Sequence, residues 1–122
     1  MSIVVFDIGG SAVKFGLWQE DALTGKGSFG TPKTWNAMKA EMKSVFDGFA
    51  AAGSIEGVAI SSPGAVDSDA GIIGGISAVA YIHHFPIKAE WEGLFGVPVS
   101  IENDANCAAL ADGLVKRGNK LV

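Results

Sequence analysis

Two short apolar, β-branched runs constrain this chain more than any other feature. Ile3-Val4-Val5-Phe6 leads into Asp7-Ile8-Gly9-Gly10-Ser11, and Val97-Pro98-Val99-Ser100-Ile101 leads into Glu102-Asn103-Asp104-Ala105-Asn106. Brief apolar runs bounded by turn residues read as buried strands. Each therefore holds a carboxylate just beyond a strand end, and on neighbouring strands the two acids would face one crevice. The glycines leave room for a phosphate, and the second acid can take a proton from a hydroxyl. That combination suggests phosphoryl transfer to an alcohol.

The spacing between the two runs supplies the rest of the fold. Residues 2–8 are predicted as a buried strand and Gly9-Gly10-Ser11 as a tight turn. Residues 12–18 alternate, with Val13, Phe15 and Leu17 on one face and Lys14, Gly16 and Trp18 on the other, the period of a second strand. Gln19-Glu20-Asp21 turns the chain into a weaker third strand over residues 25–31, ended by Pro32, so the chain opens as a β-meander. Thr34 is placed to cap a helix reaching residue 52. In it Trp35, Met38, Met42, Val45, Phe46 and Phe49 form a core stripe opposite Lys39, Glu41, Lys43 and Asp47. Gly53 is expected to terminate this helix, and Val58-Ala59-Ile60 to form a short buried strand.

Residues 61–81, rich in Gly, Ser and Ala, are expected to be irregular, with a turn at Pro63-Gly64. A short second helix follows Pro86, carries Ile87, Trp91, Leu94 and Phe95 on one face, and is capped by Gly96. The last strand and a final helix over residues 104–116, with Cys107, Ala108, Ala111, Leu114 and Val115 inward, complete the order β-β-β-α-β-α-β-α. This order predicts an α/β domain built on a mixed five-stranded sheet with helices on its faces.

Bulk properties narrow the functional classes. At 122 residues the chain fits one domain, and a globule of this size buries roughly two-thirds of its unfolded surface. The 48% hydrophobic content, 18% charged residues and mean hydropathy of +0.33 suit either a strand-rich core or a face kept for a partner. The net charge is −4 and only Lys116-Arg117 are adjacent cations, so no basic stripe exists for nucleic acid along this segment. A single Cys107 excludes an internal disulfide and suits a reducing compartment. No cationic leader precedes the first apolar run, and nothing approaches the roughly 20 apolar residues of a membrane span. A cytoplasmic protein with no membrane partner is the expectation.

The first loop differs from better-known phosphate loops. A Walker A loop and a dinucleotide fingerprint both open a helix, whereas Gly9-Gly10-Ser11 leads into a strand. Its use is a hairpin whose backbone N–H groups and Ser11 hydroxyl donate to a phosphate, with Lys14 as counter-charge. Asp7, at the strand end, can order Mg²⁺ through water. A plain glycine hairpin with a solvated Lys14 is the structural alternative.

In the second loop, Asn103 at the cap of the last helix would put Asp104 in its first turn, where the helix dipole favours the ionised carboxylate. Such an acid accepts a hydrogen bond, and finally a proton, from a substrate hydroxyl. A strong base is unnecessary because the transition state is loose. Asn103 can donate to and accept from adjacent hydroxyls. Helix capping alone is the competing reading. The adjacent His83 and His84 cannot both face one ion from an extended chain, so no metal site is expected of them.

Taken together these residues carry a resemblance. Asp7-Ile8-Gly9-Gly10-Ser11-x-x-Lys14 resembles the phosphate loop of the ROK (repressor, open reading frame, kinase) sugar kinases of the actin-like ATPase superfamily, whose domains are ribonuclease H-like. Ser61-Ser62-Pro63-Gly64-Ala65-Val66-Asp67 resembles the next segment of that family, and Glu102-Asn103-Asp104-Ala105-Asn106-Cys107-Ala108-Ala109-Leu110 closely resembles its catalytic block. The family usually carries Thr at the position of Ser11, and many members place an Asn in the loop before the second helix. Here that loop reads Gly74-Gly75-Ile76-Ser77-Ala78-Val79-Ala80-Tyr81-Ile82-His83-His84, which looks more like the β-glucoside kinase branch.

The resemblance implies ATP-dependent phosphorylation of a hexose, hexosamine or β-glucoside, commonly at O6. Asp104 would be the base, and Gly64, Asn103 and Asp104 would contact the sugar. Ser77 joins them as a polar group in a loop able to line the cleft. Asp7, Gly9, Gly10, Ser11 and Lys14 would serve ATP, with Asp7 towards Mg²⁺. The resemblance also implies a C-terminal lobe with a glycine-rich adenosine loop, a Glu-x-Gly-His segment and a cysteine-rich zinc loop, none of which occurs before Val122. Residues 1–122 are accordingly expected to be the N-terminal lobe, inactive alone and completed by a C-terminal lobe or a homo-oligomer. Two other readings belong beside the kinase: the lobe of a sugar-sensing regulator, disfavoured because no helix-turn-helix precedes the first strand, and a non-catalytic assembly lobe.

Overall fold

The structure, a computed structural model, describes residues 1–103. Five strands form one sheet: β1 (Ile3–Ile8), β2 (Ala12–Gln19), β3 (Ala22–Gly30), β4 (Gly57–Ser61) and β7 (Val99–Glu102), in the order β3-β2-β1-β4-β7. The meander β1-β2-β3 is antiparallel, whereas β4 and β7 run parallel to β1. The mixed five-stranded sheet anticipated from the element order is present. The final helix expected over residues 104–116 lies outside the described residues.

The main core fills one face of the sheet. Val4, Phe6 and Ile8 of β1, Val13 of β2, Val58 and Ile60 of β4 and Val99 and Ile101 of β7 alternate onto it. Helix α1 (Trp35–Ala50) lays Met38, Met42 and Phe46 against them, and α2 (Ile87–Phe95) adds Ile87, Trp91 and Phe95. Burying each of these side chains contributes about 1.5–3 kcal/mol. The opposite face holds a smaller cluster of Ile3, Val5 and Ala59 with Trp18 and Leu23 packed on it.

Local chemistry accounts for the boundaries. Thr34 caps α1, its hydroxyl accepting from the Ala37 N–H at 3.1 Å. Gly96 ends α2 in the left-handed conformation at φ +71°. The helix α1 stops at Ala50 with Ala51 as its cap, so Gly53 follows the helix end instead of making it. The third strand begins at Ala22, earlier than its weak alternation implied. Glu20 and Asp21 both adopt positive φ, 49° and 61°, in a two-residue turn whose twist matches the flanking strands.

Residues 61–81 are more ordered than their composition suggests. Two short strands, β5 (Ala65–Asp67) and β6 (Ile72–Gly74), pair as a separate hairpin, and Ala80–Ile82 makes one 3₁₀ turn. Asp67 closes the hairpin loop by accepting the Ala70 N–H on its carboxylate and the Gly71 N–H on its carbonyl. With strands of three residues, no alternation could build up in the sequence.

Candidate active site

A row of functional side chains crosses the sheet at the carboxyl ends of its parallel strands. Asp7 is the ladder partner of Lys14 on β2 and of Ser61 on β4, and Ser61 is the partner of Glu102 on β7. Directly paired residues project from the same face. Lys14, Asp7, Ser61 and Glu102 therefore share one edge of one face, the position where open α/β sheets bind ligands. One sequence expectation is corrected here. The strands carrying the two acidic loops are not neighbours, because β4 runs between β1 and β7. At about 4.8 Å per strand, Asp7 and Glu102 stand roughly 10 Å apart at the backbone.

Asp7 is half-buried and Lys14 exposed, and they do not form an ion pair. The ion pair among the described residues is Lys43–Asp47, on the solvent side of α1. The Asp7 carboxylate makes no hydrogen bond to the described residues, which leaves its oxygens for a ligand. Carboxylate oxygens at a strand end suit a hard cation that keeps its waters.

The hairpin Gly9-Gly10-Ser11 is built from both sides. The Gly9 N–H donates to the Ala12 carbonyl at 2.9 Å, so this donor closes the turn and is not among the exposed loop N–H groups. A Cβ at Gly9 would lie 2.9 Å from that same carbonyl oxygen, which requires glycine there. Across the turn, the Thr31 hydroxyl donates to the Gly9 carbonyl at 2.6 Å and the Thr31 N–H to the Ser11 carbonyl at 3.0 Å. In a trans peptide the carbonyl of one residue and the N–H of the next point in opposite directions. Holding the Gly9 carbonyl towards Thr31 therefore turns the Gly10 N–H away from it, outward. Gly10 and Ser11 are exposed, and the Ser11 hydroxyl is unpartnered among the described residues. The sequence marked Thr31 only as the end of a strand; its role depends on a contact 22 residues away.

The other wall is a pair of pinned loops. Gly64 has φ +95°, and a Cβ there would lie 2.6 Å from His83 Cε1 and 2.8 Å from the Gly74 carbonyl oxygen. Asn103 holds this turn by its side chain: Nδ2 donates to the carbonyls of Ser62, at 3.1 Å, and of Gly64, while Oδ1 accepts the Val66 N–H at 3.2 Å. The sequence reading gave Asn103 both donor and acceptor capacity towards a sugar. In the structure both amide hydrogens are committed to the turn, and one oxygen lone pair is left. Ser77 is likewise engaged, 2.8 Å from His83 Nε2 and accepting the Val79 N–H at 3.1 Å. His83 Nδ1 lies 3.0 Å from the Gly74 carbonyl, and His84 is exposed. Tyr81 donates to the Pro32 carbonyl at 2.6 Å, next to Thr31, and burial pushes its hydroxyl above the ordinary phenol range, so it remains a donor. His83, unassigned in the sequence, is what joins the Gly64 turn to the Ser77 loop. Asp104, the expected base, lies outside the described residues.

The two walls meet closely. A Cβ on Gly10 would come within 3.2 Å of the Ala78 Cβ, so the Ser77 loop abuts the Gly9-Gly10-Ser11 hairpin. The arrangement offers outward backbone donors, a lysine and a free carboxylate on one side, with a rigid polar turn on the other. These are parts for holding a phosphorylated ligand against a polyol.

The ROK family pattern matches residues 3–121, and the chain belongs to the ROK family. It is 37% identical to a β-glucoside kinase of Klebsiella pneumoniae over 115 residues, a match covering 92% of this chain and 37% of that protein. Among solved structures it resembles a ROK family protein from Streptococcus pneumoniae TIGR4 in complex with sucrose, at 36% identity and a TM-score of 0.76, covering 96% of this chain and 39% of that one. A ROK family glucokinase from Streptomyces griseus, in complex with glucose and AMPPNP, aligns at 26% identity and a TM-score of 0.76, over 87% of this chain and 34% of that one. The fold is that of the actin-like ATPases. The chain spans about two-fifths of the length of its curated relatives.

Proposed function

We propose that this chain is the N-terminal lobe of an ATP-dependent sugar kinase, acting with a C-terminal lobe that closes the cleft. The observation that carries the reading is the juxtaposition of the Asp7–Lys14 row and the Thr31-held hairpin with the Asn103-held turn. The identity to a β-glucoside kinase favours a β-glucoside as the sugar, and hexose or hexosamine substrates follow from the wider family. Transfer is to O6, as is commonest for such kinases. A cytoplasmic location suits an ATP-consuming chain with a single cysteine. Any zinc belongs to the C-terminal lobe.

The roles follow from the chemistry of each group. The Gly10 and Ser11 N–H groups, the Ser11 hydroxyl and Lys14 Nζ donate to phosphate oxygens, and Gly9 allows the tight turn that presents them. Asp7 would hold Mg²⁺ through water, and the ion would supply charge neutralisation to the phosphate groups. Gly64, Ser77 and Asn103 form the sugar wall. Asp104, next in sequence to the anchored Asn103, accepts the hydroxyl proton as the sugar oxygen bonds to the γ-phosphorus and the bond to ADP breaks. A carboxylate suffices, because proton loss is late in a loose transition state.

Asp104→Asn in the complete two-lobed kinase tests this assignment. Turnover is expected to fall by about 10²–10⁴-fold, the usual worth of a positioned base, while sugar affinity is retained. A variant with wild-type turnover would remove Asp104 from that role.

A further inference from the structure

We infer that His83 is a positioning residue that fixes Ser77 as a hydrogen-bond acceptor, so that the 74–79 loop selects a sugar hydroxyl able to donate. The inference rests on the sugar-kinase reading above and names a specificity device within it.

A carbonyl oxygen can only accept, so the bond between His83 Nδ1 and the Gly74 carbonyl places the imidazole proton on Nδ1. In the neutral ring Nε2 is then an acceptor, and the Ser77 hydroxyl 2.8 Å away must donate to it. The alternative acceptor for that proton, the Val79 carbonyl, is 3.4 Å off, beyond the usual O–H···O range of about 2.5–3.0 Å. One Ser77 lone pair takes the Val79 N–H at 3.1 Å. What Ser77, half-buried, retains for a ligand is one lone pair and no proton.

Both ring nitrogens are engaged, Nδ1 with the Gly74 carbonyl and Nε2 with Ser77, which fixes the orientation of the ring. The ring edge lies over Gly64, where an added Cβ would sit 2.6 Å from Cε1. Ile82, immediately before His83, is fully buried in the core, and the Tyr81 hydroxyl ties the same segment to Pro32. Ala78 abuts Gly10 of the phosphate hairpin, so Ser77 lies one residue from the place where the γ-phosphate would be held. A sugar poised to attack that phosphate presents its hydroxyls to this loop. A hydroxyl satisfies the open lone pair by donating, whereas a fluorine or ether oxygen sets one acceptor against another.

The test is titration calorimetry on the complete kinase, with the parent sugar and a series of analogues in which one hydroxyl at a time is replaced by fluorine. At one position fluorine is expected to weaken wild-type binding about tenfold. Ser77→Ala should abolish that discrimination. His83→Asn, which keeps a donor towards the Gly74 carbonyl but frees the Ser77 proton, should reduce it to about twofold or less. His83→Gln, carrying an amide oxygen near the Nε2 position, should restore it. The KM for ATP should not change in any of the three, and melting temperatures establish that each is folded. Wild-type sugar binding with no fluoro position that depends on both residues would overturn the inference while leaving the kinase reading intact. Discrimination that survives His83→Asn unchanged would do the same. A wild-type protein that binds no sugar would instead overturn the underlying reading.

Discussion

The Thr31 hydroxyl donates to the Gly9 carbonyl at 2.6 Å, clamping the hairpin to the strand that ends two elements later. The Thr31 N–H makes the second clamp, to the Ser11 carbonyl. Thr31→Val keeps shape and N–H and removes only the hydroxyl bond, so the Gly9–Gly10 peptide is free to rotate. In the complete kinase the KM for ATP should rise about fivefold to tenfold, the worth of about 1 kcal/mol of lost hydrogen bonding, with sugar affinity unaltered. Thr31→Ser should restore it. Steady-state kinetics with each substrate varied in turn separates this from general destabilisation, which would reduce active enzyme without changing either KM.

Gly64 is required by both its conformation and its surroundings. At φ +95° an L-residue is strained, and the added Cβ would meet the Gly74 carbonyl oxygen at 2.8 Å, a backbone atom that cannot swing aside. Gly64→Ala is expected to cost about 2–3 kcal/mol, seen as a lower denaturation midpoint, and to displace the turn on which the sugar wall is built. Sugar binding by the folded fraction should weaken while nucleotide binding is kept.

Asn103 offers a sharper contrast between two substitutions. Asn103→Ala removes both bonds to the Ser62 and Gly64 carbonyls. Asn103→Asp keeps the shape but sets a carboxylate oxygen against those two acceptors. The aspartate variant should therefore be the less stable of the pair by about 1–2 kcal/mol near neutral pH, despite being the closer isostere. Thermal melts of the two variants side by side decide it.

Much of the fold was legible in the chain because its signals are local. Val13, Phe15 and Leu17 alternate onto the core as read, Met38, Met42 and Phe46 face it at helical spacing, and Thr34 and Gly96 cap where their chemistry requires. The ends of the strands also gave Asp7 and Lys14 correctly as neighbours of the hairpin. What escaped was long-range. Nothing near Ile101 says that β4 will insert beside β7, so the two acidic loops were placed too close. Strands as short as Ala65–Asp67 and Ile72–Gly74 leave no period to read. Thr31 and His83 act through partners that only the folded chain brings near, and the full use of the Asn103 amide is visible only once the Ser62–Val66 turn is folded beneath it.

The most direct measurement is phosphoryl transfer itself. The complete kinase, incubated with MgATP and a simple β-glucoside, is followed by ³¹P NMR with the Asp104→Asn variant alongside. The expected result is a sugar 6-phosphate resonance growing in step with ADP in the wild type and slower by at least about a hundredfold in the variant. Tight sugar binding with no sugar phosphate formed, or ADP released without it, would contradict the assignment of this lobe to a sugar kinase.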